Sequence, residues 1–257
     1  MLLAIDIGNT DITVGLHQQD QWSHLWRLTS ASGRPELFYG IKLREHFFEA
    51  GLKTAAVRQI VISSVVPGLT DKIISVVTTL FEKEPIVLGP DVYAKLPIEI
   101  LNPYEIGSDL VANALAAYIR FKQNCIVVDF GTALTFTTIS NKGKILGVAI
   151  APGLKTAIKS LTQNTAKLFD VPLEMPQSAL GKNTVHAIQA GILLGYEGLV
   201  SSMHQRIKRE LSDSQCATIA TGGLSSIITP LQKQFTGVDK NLTLNGLKIV
   251  GEIVLKA

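Results

Sequence analysis

Two short segments of the chain end an apolar run on aspartate and follow it with glycine, amide and hydroxyl residues: Asp6-Ile7-Gly8-Asn9-Thr10 and Asp129-Phe130-Gly131-Thr132. These residue types suit polyphosphate chemistry. Glycine lets backbone N–H groups approach a phosphate closely, Thr and Asn add donors, and a carboxylate can hold Mg²⁺ directly or through water. Phosphoryl transfer depends on positioning and charge neutralisation, with a further carboxylate to orient the attacking hydroxyl. Asp109 is the candidate for that role. Gly107-Ser108-Asp109 stands before the apolar-periodic run Leu110, Val111, Leu115, Ala116, Ile119, which puts the carboxylate at a helix N-terminus, where its charged form is favoured. The same spacing also fits an ordinary cap, in which Ser108 or Asp109 only satisfies backbone donors.

Such carboxylates act together only if strands and helices end beside one another. From Leu2 to Thr29 the pattern reads as a three-stranded meander, followed by a helix over 36–50, a strand over 59–65, a helix over 69–81 and a short strand over 85–88. The second half repeats the theme with strands over 125–130, 134–140 and 145–151, helices over 154–164 and 185–211, and a strand over 217–221 before Gly222-Gly223. Alternating strands and helices indicate an α/β layer architecture. Superposing Ile5-Asp6-Ile7-Gly8 on Val128-Asp129-Phe130-Gly131 gives the same strand, acid, turn and second strand, which suggests a duplicated unit. The expected organisation is an N-terminal lobe over 1–106 and a C-terminal lobe over 107–257, each lending one acid-glycine loop to a clamp on a triphosphate.

Other classes lose support. The 257 residues, 46% hydrophobic and 18% charged, favour a compact globule of two domains or one large one. Neither Gly143-Lys144-Ile145 nor Gly181-Lys182-Asn183 has the spacing of a P-loop, and no G-x-G-x-x-G follows a strand. Cys125 and Cys216 read as buried free thiols rather than zinc ligands. The net charge of +3 is dispersed; its tightest group, Arg206, Lys208 and Arg209, reads as a solvated helix face, so nucleic acid is not indicated. The N-terminus lacks the pattern of a signal peptide and no apolar run reaches membrane-spanning length, so a cytoplasmic protein without a membrane partner is expected.

The chain resembles the type III pantothenate kinases, also known after a Bvg accessory factor, in an ordered set of motifs. These are Asp6-Ile7-Gly8-Asn9-Thr10, Ser64-Val65-Val66-Pro67, Asn102-Pro103 through Gly107-Ser108-Asp109-Leu110, Asp129-Phe130-Gly131-Thr132-Ala133-Leu134-Thr135-Phe136, Pro152-Gly153-Leu154 and Thr221-Gly222-Gly223. The resemblance implies an actin-like (ribonuclease H-like) duplicated fold and transfer of phosphate from ATP to pantothenate, the first step of coenzyme A biosynthesis. By it the loop from Asp6 to Thr13 would bind ATP phosphates with Mg²⁺, with Gly8, Asn9 and Thr10 in the turn. Asp109 would be the general base. Asp129 would hold a monovalent cation, K⁺ or NH₄⁺, while Thr132, Gly222 and Gly223 would contact nucleotide. Gly107, Ser108 and Thr184 would line the acceptor site, Thr184 across a homodimer interface. Gly191, Gly195 and Gly198 fit close helix packing or an ordinary core.

Three departures fall on the acceptor side. Leu110 stands where the family motif has arginine, Ile100 where it has tyrosine, and Thr137 where it has an acid. Losing a charge-assisted hydrogen bond costs ~1.5–3 kcal/mol. Two alternatives therefore accompany pantothenate phosphorylation: a kinase of another small hydroxylated acceptor, and a nucleotide-binding regulatory paralogue.

Overall fold

The computed structural model describes residues 1–165 and 167–255. It divides into two compact units, Met1–Ala116 with the C-terminal stretch from Leu242 onward, and Ala117–Asn241. In the first, β1 (Leu2–Ile7), β2 (Asp11–Gln18) and β3 (Gln21–Thr29) form the expected meander, and Gln19 and Asp20 both adopt the positive φ of a two-residue hairpin turn. Then follow α1 (Glu36–Glu49), β4 (Gln59–Ser64), α2 (Pro67–Phe81), β5 (Ile86–Val87), the short α3 (Pro90–Tyr93) and the start of α4 (Ser108–Phe121). Pro67 opens α2, where its missing N–H has no cost, and Glu82 in the left-handed region ends it. The sheet order is β3-β2-β1-β4-β5, with β1 antiparallel to β2 and parallel to β4. Tyr39, Leu43 and Phe47 of α1 and Leu69, Ile73 and Val77 of α2 share one core with Leu3, Ile5 and Ile7 of β1.

The second unit contains β6 (Cys125–Phe130), β7 (Ala133–Ile139), β8 (Ile145–Pro152), α5 (Leu154–Asn164), α6 (Thr184–Gln189), α7 (Gly195–Glu210), β9 (Ala217–Thr221) and β10 (Gly237–Val238). Its sheet runs β10-β9-β6-β7-β8, again with an antiparallel meander on one side of the first strand and parallel strands on the other. The duplication is therefore one of topology. The single helix expected over 185–211 is instead α6, a π-helical turn at Ala190–Leu194, and α7. Cys125 and Cys216 are buried free thiols whose burial holds their pKa values up at about 12 and about 11, so neither is a thiolate near neutrality. No helix among the described residues is long and apolar enough to cross a membrane.

These compact units divide after Ala116 and before Leu242, where the sequence reading placed a single lobe boundary after residue 106. Residues 107–116 belong with the first unit because Ser108 Oγ is hydrogen-bonded to Ser63 Oγ (2.9 Å) and accepts from the Ser64 amide (3.0 Å), which ties the start of α4 to the end of β4. The last helix, α8 (Leu242–Val254), returns to the first unit, where it packs on β1 and β4. Its Gly246 sits so near α4 that an added Cβ would overlap the carbonyl of Ala112, 2.5 Å from the carbon and within contact of the oxygen. Alanine is the better helix former by about 1 kcal/mol, but overpacking against a rigid backbone costs ~1–3 kcal/mol. Gly246→Ala should therefore lower Tm by several degrees. Gly40→Ala in α1, where the nearest neighbour would be an ordinary 3.9 Å away, should hold or raise it; thermal unfolding of the two variants checks the contrast.

Candidate active site

Asp6 is the penultimate residue of β1, in register with Thr13 on β2 and Ser63 on β4. The turn after it, carrying Gly8, Asn9 and Thr10, closes with the Gly8 amide donating to the Asp11 carbonyl at 3.0 Å, and Asn9 and Thr10 are exposed at its tip. In the second unit Asp129 holds the equivalent place on β6, in register with Thr135 and Thr221. There the Gly131 amide donates to Ala133 at 3.1 Å, a turn one residue tighter, with Thr132 exposed at the tip. Each sheet thus carries one carboxylate and one open, glycine-bearing turn at the same end of its first strand.

Gly222 has φ +88°, and a Cβ there would stand 2.5 Å from Asp129 Oδ1 and 2.7 Å from the carbonyl carbon of Phe130. Only glycine lets the turn after β9, with Gly223 exposed next to it, lie directly on the Asp129 carboxylate. Gly153 plays a comparable part that its motif did not reveal. Its amide donates to the Thr132 carbonyl at 3.0 Å, Thr156 Oγ1 donates to the same oxygen at 2.7 Å, and a Cβ on Gly153 would overlap the Gly131 carbonyl. The start of α5 is in this way fastened to the Gly131-Thr132 turn.

Asp109 lies in the first unit beside a cavity of about 690 Å³ whose wall includes Val65, Tyr93, Gly107 and Ser108. Its Oδ1 accepts from the Leu110 amide at 2.8 Å, and a side chain at 107 would meet that oxygen at 2.5 Å. The residue keeps some accessible surface while its carboxyl is packed among protein atoms. That burial pushes its pKa above the ordinary carboxylate range, opposed by the backbone hydrogen bonds from Leu110 and from its own amide. Tyr93 was not foreseen: it sits past Gly89-Pro90 on a four-residue helix with no periodicity to mark it. Burial and the Asp109 charge push its phenol to about 12.

Of the expected acceptor residues, Gly107 and Ser108 line this cavity, Leu110 is buried with 8% exposure and Ile100 is half-buried. Thr184 lies in the second unit at the start of α6, behind the capping Asn183, on a separate, mostly apolar cavity of about 530 Å³.

The donors around both carboxylates are oxygens, which suits hard cations. Beside Asp129, Thr135 Oγ1 is buried without a hydrogen-bond partner, as an oxygen reserved for a cation would be. No group of three or more His, Cys, Asp or Glu side chains suited to a metal occurs among the described residues. Mg²⁺ takes one or two carboxylates and fills its shell with phosphate and water.

Two solved structures share the architecture. MreB 5 of Spiroplasma citri, determined with AMPPNP bound, has a TM-score of 0.58 at 11% identity, covering 99% of this chain and 97% of that one. The inorganic polyphosphate/ATP-glucomannokinase of Arthrobacter sp. strain KM has a TM-score of 0.50 at 13% identity over 100% and 99%. These likenesses show the fold alone, the actin-like arrangement of paired five-stranded sheets. The family model for type III pantothenate kinase matches residues 2–206. The type III pantothenate kinase of Anaeromyxobacter sp. (strain K) is 42% identical over 98% of this chain and 99% of its own, and that of Geobacter sulfurreducens is 41% identical over 98% of both. With that identity sustained across nearly the whole of each sequence, the chain belongs to the type III pantothenate kinase family.

Proposed function

We propose that this protein transfers the γ-phosphoryl group of ATP to the primary hydroxyl of pantothenate, giving 4'-phosphopantothenate and ADP. The observation that carries the proposal is the buried Asp109 carboxylate at the head of α4, beside a cavity large enough for a small acceptor. Asp109 accepts the hydroxyl proton as the acceptor oxygen bonds to the γ-phosphorus and the bond to the β-bridging oxygen breaks. Its raised pKa favours that uptake. The turn from Asp6 to Thr13, with the Gly8, Asn9 and Thr10 donors, orients phosphate oxygens. Mg²⁺, when bound, neutralises charge on the transferring group. Thr132, Gly222 and Gly223 contact nucleotide, and Asp129 with Thr135 holds a monovalent cation, K⁺ or NH₄⁺.

The working form is a homodimer in which Thr184 reaches the acceptor site of the other copy. Supporting this, Gly191, Gly195 and Gly198 are exposed, and a Cβ added at any of them meets nothing within 4 Å, so this glycine face is open to another helix. The edge strand β8 likewise exposes Leu146, Val148 and Ile150.

Purified protein given ATP, Mg²⁺ and K⁺ should release ADP only when pantothenate is added, and more slowly when a quaternary ammonium ion replaces K⁺. Absence of pantothenate-dependent ADP with both cations present would sink the proposal.

A further inference from the structure

The Gly131-Thr132 turn is held through a single peptide group. The carbonyl of Pro152 and the amide of Gly153 belong to one planar unit. Its N–H donates to the Thr132 carbonyl at 3.0 Å, and its oxygen accepts from Tyr196 Oη at 2.6 Å. The plane is pinned at both ends, by the turn on one side and by α7 on the other. Thr156 Oγ1 donates to the same Thr132 oxygen at 2.7 Å. The peptide stands where β8 ends, with Pro152 paired to Ala133, and one residue before α5 begins. Glycine is required at 153, since a Cβ would overlap the Gly131 carbonyl.

The break in its helix aims Tyr196 at this peptide. A π-helical turn holds about one residue more than an α-helical one, so it rotates the buried face of α7 relative to that of α6 by about 100°. Accordingly α6 buries Ile188 with Ile158 and Val171, while α7 buries Val200 in the main core of the second unit and lays the Tyr196 ring against that core. Such turns within helices occur frequently at functional sites. Burial raises the pKa of the phenol, which keeps the hydroxyl a donor. Donation into the Pro152 oxygen polarises the peptide and strengthens its N–H bond to Thr132. We infer that Tyr196 is a positioning residue for the nucleotide: through the Pro152–Gly153 peptide it fixes the Thr132 turn, and with it the affinity of the site for ATP and ADP. This rests on Thr132 contacting nucleotide, as proposed above, and not on the identity of the acceptor.

Tyr196→Phe keeps the ring in place and removes only the hydroxyl. One hydrogen bond is worth about twofold to tenfold in an equilibrium, so the Kd of the full chain for ADP with Mg²⁺, measured by calorimetry, should rise by about that factor. The KM for ATP should rise with it, while kcat and the KM for pantothenate stay close to those of the parent. Thr156→Val removes the other donor to the Thr132 carbonyl and should weaken ADP binding in the same way, and Thr156→Ser should restore it. Because both donors act on one turn, the double variant Tyr196→Phe/Thr156→Val should depart from the product of the single effects. Unchanged ADP affinity in Tyr196→Phe, even with a lowered Tm, overturns the inference: the hydroxyl then only ties α7 to β8, and the proposed function stands. Single effects that multiply independently overturn the shared route through the turn. If the parent chain does not bind ADP with Mg²⁺ at all, the nucleotide site and the inference fall together.

Discussion

Asp109→Asn should lower kcat by ~10²–10⁴-fold, the usual contribution of a positioned general base, and should do so in a protein at least as stable as the parent. The two halves of this expectation share one cause. Burial raises the folded-state pKa of Asp109 above its unfolded value, so the folded state binds that proton more tightly than the unfolded chain does. Stability tied to this group is consequently gained as pH falls through the folded pKa, and near neutrality the ionised carboxylate is a cost to the fold. Asparagine keeps the shape and the acceptor oxygen for the Leu110 amide without the charge. The parent enzyme should also lose kcat on the acid side at a pH above the ordinary carboxylate range, as its base protonates. Thermal unfolding together with a pH–rate profile tests both. A drop in Tm that matches the loss of activity would mean that Asp109 only caps α4.

Gly222→Ala is the second large effect, and it should damage both fold and turnover. An alanine at φ +88° costs about 1–2 kcal/mol in backbone strain, and the contacts at 2.5 Å with Asp129 Oδ1 and 2.7 Å with Phe130 add an overpacking term of ~1–3 kcal/mol. For a chain of this size ~1 kcal/mol moves Tm by about 2–4 °C, so a fall of roughly 5–15 °C is expected. The clash is with the Asp129 carboxylate itself, so kcat/KM should fall further than the loss of folded protein explains, and saturating K⁺ should restore little of it. Gly147→Ala on β8, where an added Cβ meets nothing within 4 Å, is the control. If the two variants behave alike, the close approach of Gly222 to Asp129 has no consequence.

Both acid-glycine turns were legible because their signals are local. An apolar run ending in Asp-x-Gly fixes a strand end and a tight turn whatever lies around it, and β6, α5 and β9 begin and end where their apolar patterns do. Asp109 was legible as a helix start, but its burial was not, since that comes from the loop before it and from Tyr93, residues close in space only after folding. The π-helical turn at Ala190–Leu194 left no mark on a pattern that reads as continuous helix. The allegiance of α8 was hidden for a different reason. Its apolar positions say that Leu242, Leu244, Leu247 and Val250 are buried, but periodicity does not say against which sheet.

That allegiance bears on how the chain is made. The helix covering β1 and β4 leaves the ribosome only after the entire Ala117–Asn241 unit, which at ~5–20 residues per second is a delay on the order of ten seconds. Throughout that interval the nascent first sheet has one greasy flank bare. It must either wait beneath a chaperone or risk sticking to its neighbours on the same messenger.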